Sequence, residues 1–562
     1  MMNAVTPFST PIRLLSVAAE MFPFVKTGGL GDVVGSLPHA LAPYGVEVTT
    51  LLPGYPAVMA ALFTRAQVMH HPDLLGHEAT LWSAHVAGLD LLVLDVPALF
   101  DRPGNPYLAP EGQDWPDNGL RFAVLSRMAA DIAQGRTPHP RPDLVQAHDW
   151  QAGLTAAYLH HDQQAAERGG QPVATRVPVV QTIHNLAFQG RFPAQCLAEF
   201  GLPPEAFSVE GCECYGAISF LKAGLYHADR ITTVSPSYAQ EIQTPEGGMG
   251  LDGLLRHRGD RLEGILNGIS TETWNPASDP AVHFPYMVGD TVGRAPNKRD
   301  LQAEFGLWAD PDAFVVGVVS RLTAQKGIDL LADVTPRLLA GNTQLIVVGE
   351  GDREIERRLA SLQRQFPGRF ACHLGYSESL GHRLPSAVDA LLIPSRFEPC
   401  GLTQLGALRY GAVPVAARVG GLADTIVNAN PAAIAQGAAT GFLFTPVDGE
   451  TLLATVARAR QFYRRNRHMW RQLQLTGAAY DVSWNDKAAH YVRLFAEMLG
   501  MDTGGRADSN VISLPSGRHG LREGRRRRIA RRPPRLSRAL VAPIKYARPP
   551  AGPCSRHIPT AQ

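Results

Sequence analysis

Ile12-Arg-Leu-Leu-Ser-Val-Ala-Ala-Glu20, then Lys26-Thr-Gly-Gly-Leu-Gly-Asp32, then Val46-Glu-Val-Thr-Thr-Leu-Leu52 is the stretch on which the fold turns. The first segment is a short apolar run with β-branched content, the composition of a strand buried on both faces. Glycines between 26 and 32 make a turn, Val33 to Tyr44 has helical character, and Val46 to Leu52 reads as a second strand. Strand, glycine turn, helix, strand is a βαβ unit and implies a parallel sheet.

The same alternation continues outward. Strands are expected at Leu91 to Val96, Leu144 to Ala147, Val177 to Ile183 and Arg230 to Val234, with a helix over Leu120 to Ala133. A second series follows at Ala313 to Val319, Gln344 to Val348, Ala390 to Ile393 and Val413 to Ala416. Polar and ionisable residues recur just after these strands, the edge where open α/β sheets bind ligands. Two doubly wound sheets in tandem are therefore expected, with a boundary in the Pro-containing stretch Trp274 to Ala295. The division is 1–275 for the first Rossmann-like domain and 276–482 for the second. Residues 483–500 form a terminal helix (Trp484 to Leu499, with Ser483 as N-cap) packing back on the first, and 501–562 a tail.

Apolar residues make up 45% and charged residues 19% of the 562, a globular profile. From Gly504 to Gln562 there are 14 Lys and Arg against two Asp and Glu, a net +12 in a chain whose total is +2; the other 503 residues carry −10. The tail, with Arg525-Arg-Arg-Arg528, Pro533-Pro534 and Pro549-Pro550, lacks apolar periodicity and reads as disordered. Its one aromatic apart from histidines is Tyr546, so stacking on nucleic acid is not expected. Deleting residues 504–562 is expected to leave activity largely intact. Six scattered cysteines (Cys196, Cys212, Cys214, Cys372, Cys400, Cys554) form no Cys-x-x-Cys pair and fit a reducing cytosol. No signal peptide or apolar run of membrane-spanning length is apparent, so a cytoplasmic protein is expected. No metal-ligand spacing is evident, and His70-His71 and His160-His161 read as surface pairs. A phosphate-cradling Gly-x-x-x-x-Gly-Lys-Ser/Thr sequence is missing, which argues against a P-loop kinase.

The Lys26–Asp32 motif resembles the N-terminal signature of bacterial glycogen synthases and plant starch synthases. The resemblance extends through Asn185, Lys222, Ser235, Thr244-Pro-Glu-Gly247, Asn267-Gly-Ile269, Arg321, Lys326 and Glu398-Pro-Cys-Gly-Leu-Thr-Gln404, covering roughly residues 12–500. It implies a GT-B-type fold, two Rossmann-like domains facing a central cleft. The implied reaction transfers glucose from ADP-glucose to the non-reducing end of an α-1,4-glucan with retention. ADP-glucose is a substrate, and no cofactor is expected. Donor and glucan are the expected partners, and nothing in the sequence bears on oligomeric state.

The residues carry their own reading beside the resemblance. Breaking the donor's glycosidic bond leaves negative charge on a diphosphate, which cations and amide dipoles can stabilise. Arg321 offers a fork and Lys326 a point charge after one strand end. Gly28 and Gly29 permit close backbone approach at a helix N-terminus, although a Gly-Gly pair alone is also an ordinary turn. Glu398 can accept from sugar hydroxyls or form a salt bridge, and Asp32 can serve as a helix-terminal carboxylate. His184 reads as a core histidine or as a sugar contact, and Asn267 as a turn residue or another. By the resemblance, Lys26, His184, Asn185 and Asn267 contact donor phosphate or glucose, and Tyr376 stacks on adenine. Cys400, Gly401, Leu402 and Thr403 join the donor side; Asp32 and Asp149 lie toward the acceptor.

Three positions depart from the pattern. Related two-domain transferases often carry a second Glu eight residues after the first, here Gly406. The family usually has His where this chain has Gln151, and Asp where it has Ser270. Competing readings are a transferase with a small-molecule acceptor and an inactive glycan-binding scaffold. Glucan phosphorylase is disfavoured because no matching pyridoxal-lysine motif is recognised.

Overall fold

The computed structural model describes Phe8, residues 10–171 and residues 175–501. The tail expected over 501–562 thus lies, apart from Met501, outside the described residues, as does Cys554.

Two separate parallel-rich sheets organise the chain. The first has nine strands in the order Leu262–Gly264, Arg230–Thr233, Val179–Ile183, Leu144–His148, Ile12–Val17, Val46–Pro53, Leu89–Asp95, His77–Val86 and Ala66–Leu74. Seven run parallel; His77–Val86 and Ala66–Leu74 add antiparallel at one edge. The second has six parallel strands in the order Phe370–Leu374, Thr343–Gly349, Phe314–Val319, Ala390–Ile393, Val413–Ala417 and Phe442–Phe444.

Alternation along Phe314–Val319 explains its unbroken apolar run. Phe314, Val316 and Val318 enter one buried cluster, while Val315 enters the cluster on the opposite face with Ile346 and Leu391. Both faces are covered, so every position is apolar. The α/β architecture in two sheet-centred halves is the one expected.

The sequence reading missed the antiparallel edge hairpin. Its turn is Leu75-Gly76, both at positive φ, +50° and +84°, the backbone of a tight hairpin. Pro72 sits where the register slips between His71 and Leu74, a bulge being one of the few places a strand tolerates proline.

The first helix begins at Gly29 rather than Val33, with Gly28 as its N-cap. The last helix spans Asn485–Met498; its N-cap is Trp484, and Ser483 Oγ accepts from the Asn485 amide at 3.3 Å. Trp484, Ala488, Tyr491, Val492 and Phe495 recur at helical spacing. They share one apolar cluster with Ile12, Leu14, Val33 and Leu37 of the first sheet and its helix. The chain therefore passes twice between the halves, and the passes touch: the Ile269 amide donates to Val482 O at 2.9 Å.

One surface assignment is corrected. His161 is buried, with its ring centroid 5.5 Å from His227, and His160 stacks on His227 at 4.4 Å. The neighbouring helix Phe220–His227 covers this end of Leu154–Arg168. Among the described residues no cluster of three or more His, Cys, Asp or Glu is arranged to hold a metal ion. No described helix is long and apolar enough to cross a membrane.

Candidate active site

In each sheet the first strand has neighbours reached by connections running opposite ways, so a crevice opens at the strands' carboxyl ends. In the second sheet the switch lies between Phe314–Val319 and Ala390–Ile393. Arg321 and Lys326 follow the former strand and Glu398 the latter. Lys326 Nζ bridges the crevice, 2.8 and 2.7 Å from the two Glu398 oxygens, and Ser395 Oγ donates to Glu398 Oε2 at 2.8 Å. Glu398 is buried. Arg321 has no carboxylate or carbonyl partner among the described residues; its guanidinium lies 5.7 Å from the Phe188 ring of the other half. Burial lowers its pKa, against the pull of Glu398 and Glu20. The two cations therefore differ: one is paired, the other is open to an anion.

In the first sheet the switch lies between Ile12–Val17 and Leu144–His148. The glycine loop leaves the former and is held from beneath by Glu20, whose place at the end of the opening apolar run gives no sign of this role. Glu20 accepts from the Thr27 amide at 2.5 Å, Thr27 Oγ1 at 2.7 Å, the Gly28 amide at 3.3 Å and Tyr107 OH at 2.5 Å. Burial raises its pKa and these four donors oppose the rise. The Gly28 amide is thus committed to Glu20, which leaves the amides from Gly29 onward for an anion at this helix N-terminus. A Cβ on Gly29 would come within 3.3 Å of Leu402 Cδ1, so the glycine loop meets the Gly401-Leu402 loop of the opposite half. Gly401 takes φ +69°, and Gln404 Nε2 ties this loop by donating to Cys400 O and Gly401 O at 3.0 and 2.9 Å. Thr403 opens the helix Thr403–Tyr410 behind it.

Lys26 lies between two carboxylates, 2.9 Å from Asp32 Oδ1 and 3.1 Å from Glu378 Oε1. Asp32 sits in the first helical turn and pairs with Lys26, not with backbone amides. Tyr376 is exposed; its hydroxyl donates to Glu378 and its amide to Glu350 Oε2 at 3.2 Å.

Asp149 commits one carboxylate oxygen to the backbone. It is buried at φ +53°, a strained backbone for a non-glycine residue. Its Oδ1 accepts from the His184 amide at 2.6 Å and the Asn185 amide at 3.4 Å, fixing the turn after Val179–Ile183. Burial pushes its pKa up to about 7. His184 Nε2 is 2.9 Å from His148 Nδ1, and His148 Nε2 is 3.2 Å from Ser16 Oγ. Burial drives His184 down to about 3 and His148 well below the usual histidine range, so both rings are neutral near pH 7. Asn185 Oδ1 accepts from the Ala187 amide at 3.0 Å and shapes the same turn. Asn267 is buried beside Cys400, with Oδ1 lacking a partner, and burial pushes the Cys400 thiol up to about 12.

The halves also meet through Ser235 Oγ to Pro399 O at 2.6 Å, Ser237 Oγ to Asp424 Oδ1 at 2.6 Å, and the Gly420 amide to Glu241 Oε1 at 2.7 Å. These bonds hold the loop containing Glu398 against the first half. Lys222 is buried, donating to the Val209 and Glu213 carbonyls, and supports the small sheet of 191–219. Gln151 is buried with Oε1 unpartnered, and Ser270 Oγ accepts from Thr273 in the turn leading to Trp274.

Residues 13–257 match the model of the starch synthase catalytic domain, and residues 303–472 that of group 1 glycosyl transferases. A glycogen synthase of Rhodopseudomonas palustris is 52% identical over 490 residues, which span 87% of this chain and 99% of the relative. The chain belongs to the glycogen synthase family. A glycogen synthase of Methylocella silvestris is likewise 52% identical over 488 residues, 87% of this chain and 99% of that one. The catalytic domain of starch synthase IV from Arabidopsis thaliana, solved bound to ADP and acarbose, superposes with a TM-score of 0.77. It is 30% identical, with 87% of this chain and 100% of that one covered. Sucrose-phosphate synthase from Thermosynechococcus elongatus shares the fold at 18% identity, TM-score 0.53, over 87% of this chain and 99% of that one. Family membership fixes the GT-B fold and the hexosyltransferase class.

Proposed function

We propose that this chain is a glycogen synthase that takes glucose from ADP-glucose and adds it, with retained configuration, to the non-reducing end of an α-1,4-glucan in the cytoplasm. The observation that carries the reading is the cation pair at the second switch point: Lys326 locked to Glu398, Arg321 open beside it. A leaving nucleoside diphosphate develops negative charge as the glycosidic bond breaks, and preorganised cations in a partly desolvated cleft stabilise it without reorganisation. In this reading residues 276–482 hold the donor, with Tyr376 against the adenine and Thr403 and its neighbours at the diphosphate. Residues 1–275 hold the acceptor, with Asp32 and Asp149 on that side, while His184, Asn185 and Asn267 reach the transferred glucose.

Retention follows from attack on the leaving-group face, with the departing phosphate taking the acceptor's proton. The double-displacement alternative needs a carboxylate nucleophile free behind the anomeric carbon. Asp149, the carboxylate at that end of the first sheet, has one oxygen held by the His184 and Asn185 amides, and burial raises its pKa to about 7, so near neutral pH it is a poorer anionic nucleophile. No cofactor enters the scheme; ADP-glucose is consumed as substrate.

The test is nucleoside diphosphate release by the purified protein with ADP-glucose or UDP-glucose, with and without glycogen. Release of ADP that requires glycogen and exceeds UDP release supports the donor and the acceptor together. Absence of glycogen-dependent release with either donor rejects the proposal.

A further inference from the structure

A line of alternating charge crosses the cleft away from Arg321 and Lys326. It begins inside the second half, where Asp279 Oδ2 lies 2.7 Å from His382 Nδ1 and also accepts from Tyr410 OH. The His382 ring stacks on Trp274, centroids 4.0 Å apart and planes within 13°. His382 Nε2 is 3.7 Å from Glu378 Oε1, an ion-pair contact longer than a hydrogen bond. Glu378 then reaches Lys26 of the glycine loop at 3.1 Å, and Lys26 reaches Asp32 at 2.9 Å. An ammonium has three N–H donors; Asp32 takes one, and the two Glu378 oxygens, at 3.1 and 3.5 Å, share a second, so the carboxylates fix its direction and leave the third for a ligand.

We propose that Glu378, braced by His382, is a positioning residue for donor capture: it draws the glycine loop across the cleft and fixes Lys26 with one N–H left for the donor. The inference rests on the transferase reading above and adds to it a residue that acts through Lys26 and not on the sugar itself. The charges are arranged to keep this clamp ionised. Contact with His382 comes first among the influences that hold Glu378 at about 2, with Tyr376 and Lys26 adding to it. Burial opposes the charge on His382, but Asp279 and Glu378 overcome it and raise His382 to about 9. Tyr410 faces the same ring from the helix Thr403–Tyr410, and Asp32 faces it from the glycine-loop helix. Arg383, next on the helix Glu378–Ala387, is turned away to Glu304 and Asp300. Arg294 is spent on the Pro385 and Val388 carbonyls at that helix's far end.

The test compares wild type, Glu378→Gln and His382→Gln in glycogen-dependent ADP release, with ADP affinity measured directly by calorimetry. Gln at 378 keeps the shape and loses the charge. The expected result is a donor KM and an ADP Kd raised roughly five- to twentyfold, with kcat within about twofold and the glycogen dependence unchanged. The wild-type donor KM should rise above pH 9, as His382 loses its proton, and His382→Gln should lose that limb. Trp274 supplies a readout free of turnover. An imidazolium stacked on indole quenches it, so emission should increase through a midpoint near 9, shift to lower pH in Glu378→Gln and vanish in His382→Gln. An unchanged or lower donor KM in Glu378→Gln, or a loss confined to kcat, overturns the proposal while leaving the transferase reading in place. A wild type that neither binds ADP nor turns over ADP-glucose removes both.

Discussion

Lys326 places its ammonium 2.7 Å from Glu398 Oε2 across the crevice between two strands that diverge in the chain. Removing the ammonium leaves a buried carboxylate with Ser395 as its remaining donor and takes away one of two cations at the site. Lys326→Ala should therefore lower kcat by about 10²–10³, the usual cost of deleting one preorganised electrostatic donor. It should also lower the unfolding free energy, because an unpaired buried charge remains. Steady-state ADP release and urea unfolding check the two halves. A variant within fivefold of wild-type kcat would remove Lys326 from the leaving-group role.

Arg321 should separate the same two effects. It has no ion-pair partner to lose among the described residues, and its burial already costs solvation. Arg321→Gln is expected to cut kcat/KM about a hundredfold or more while leaving the thermal midpoint unchanged or slightly raised. Arg321→Lys should recover little, since a point charge does not reproduce the guanidinium fork. A variant that loses activity together with stability would mean that the guanidinium holds up the fold.

The His148–His184 pair sets a pH dependence with a definite sign. Both rings refuse protons when folded, His184 down to about 3, whereas the unfolded chain takes them up near 6.5. Stability is therefore lost as pH falls from about 6.5 toward 3, by of order 2 kcal/mol per histidine at pH 5. Asp149, raised to about 7, has the opposite slope and is common to wild type and variant. Urea unfolding at pH 7.5 and 5.0 should show wild type losing a few kcal/mol more than a His148→Asn, His184→Asn double variant. Imidazole NMR resonances of these two residues that titrate near 6.5 in the folded protein would contradict the burial argument.

The sequence carries the strands that determine the site because those strands are buried on both faces, and that burial forces continuous apolar runs such as Phe314–Val319. It also shows the strand-end cations, since a polar residue following such a run has few structural reasons to be there. Less legible was which groups those residues face. Glu20, quoted as the last residue of the first strand, looked like any strand terminus; its role depends on a loop that folds back eight residues later to present its amides. Glu378 and His382 carry the i, i+4 spacing of one helix face, yet their partners Lys26 and Asp279 lie 352 and 103 residues away. The edge hairpin was missed for a different reason. Its strands are half exposed and contain histidines and a proline, so the alternation that would mark them is weak.

Trp274 explains why the position eight residues after Glu398 is glycine. A Cβ on Gly406 would lie 2.7 Å from Trp274 Cζ3 and 3.0 Å from Cε3, closer than real side chains approach. The half-buried indole is held in place by its neighbours. It is stacked on His382, edge-on to Tyr410 at 5.7 Å, and its carbonyl accepts from Arg409 Nε at 3.2 Å. Gly406→Ala should consequently destabilise the protein by about 1–3 kcal/mol, the range for overpacking a filled core. It should also raise the donor KM, because a displaced Trp274 shifts His382 and with it Glu378. Trp274→Phe removes the atoms that clash, so in the Gly406→Ala background it should restore part of the stability. A double-mutant cycle should then give a coupling of at least about 1 kcal/mol. If the two changes add without coupling, the indole is not what excludes a side chain at 406, and the missing carboxylate needs another explanation.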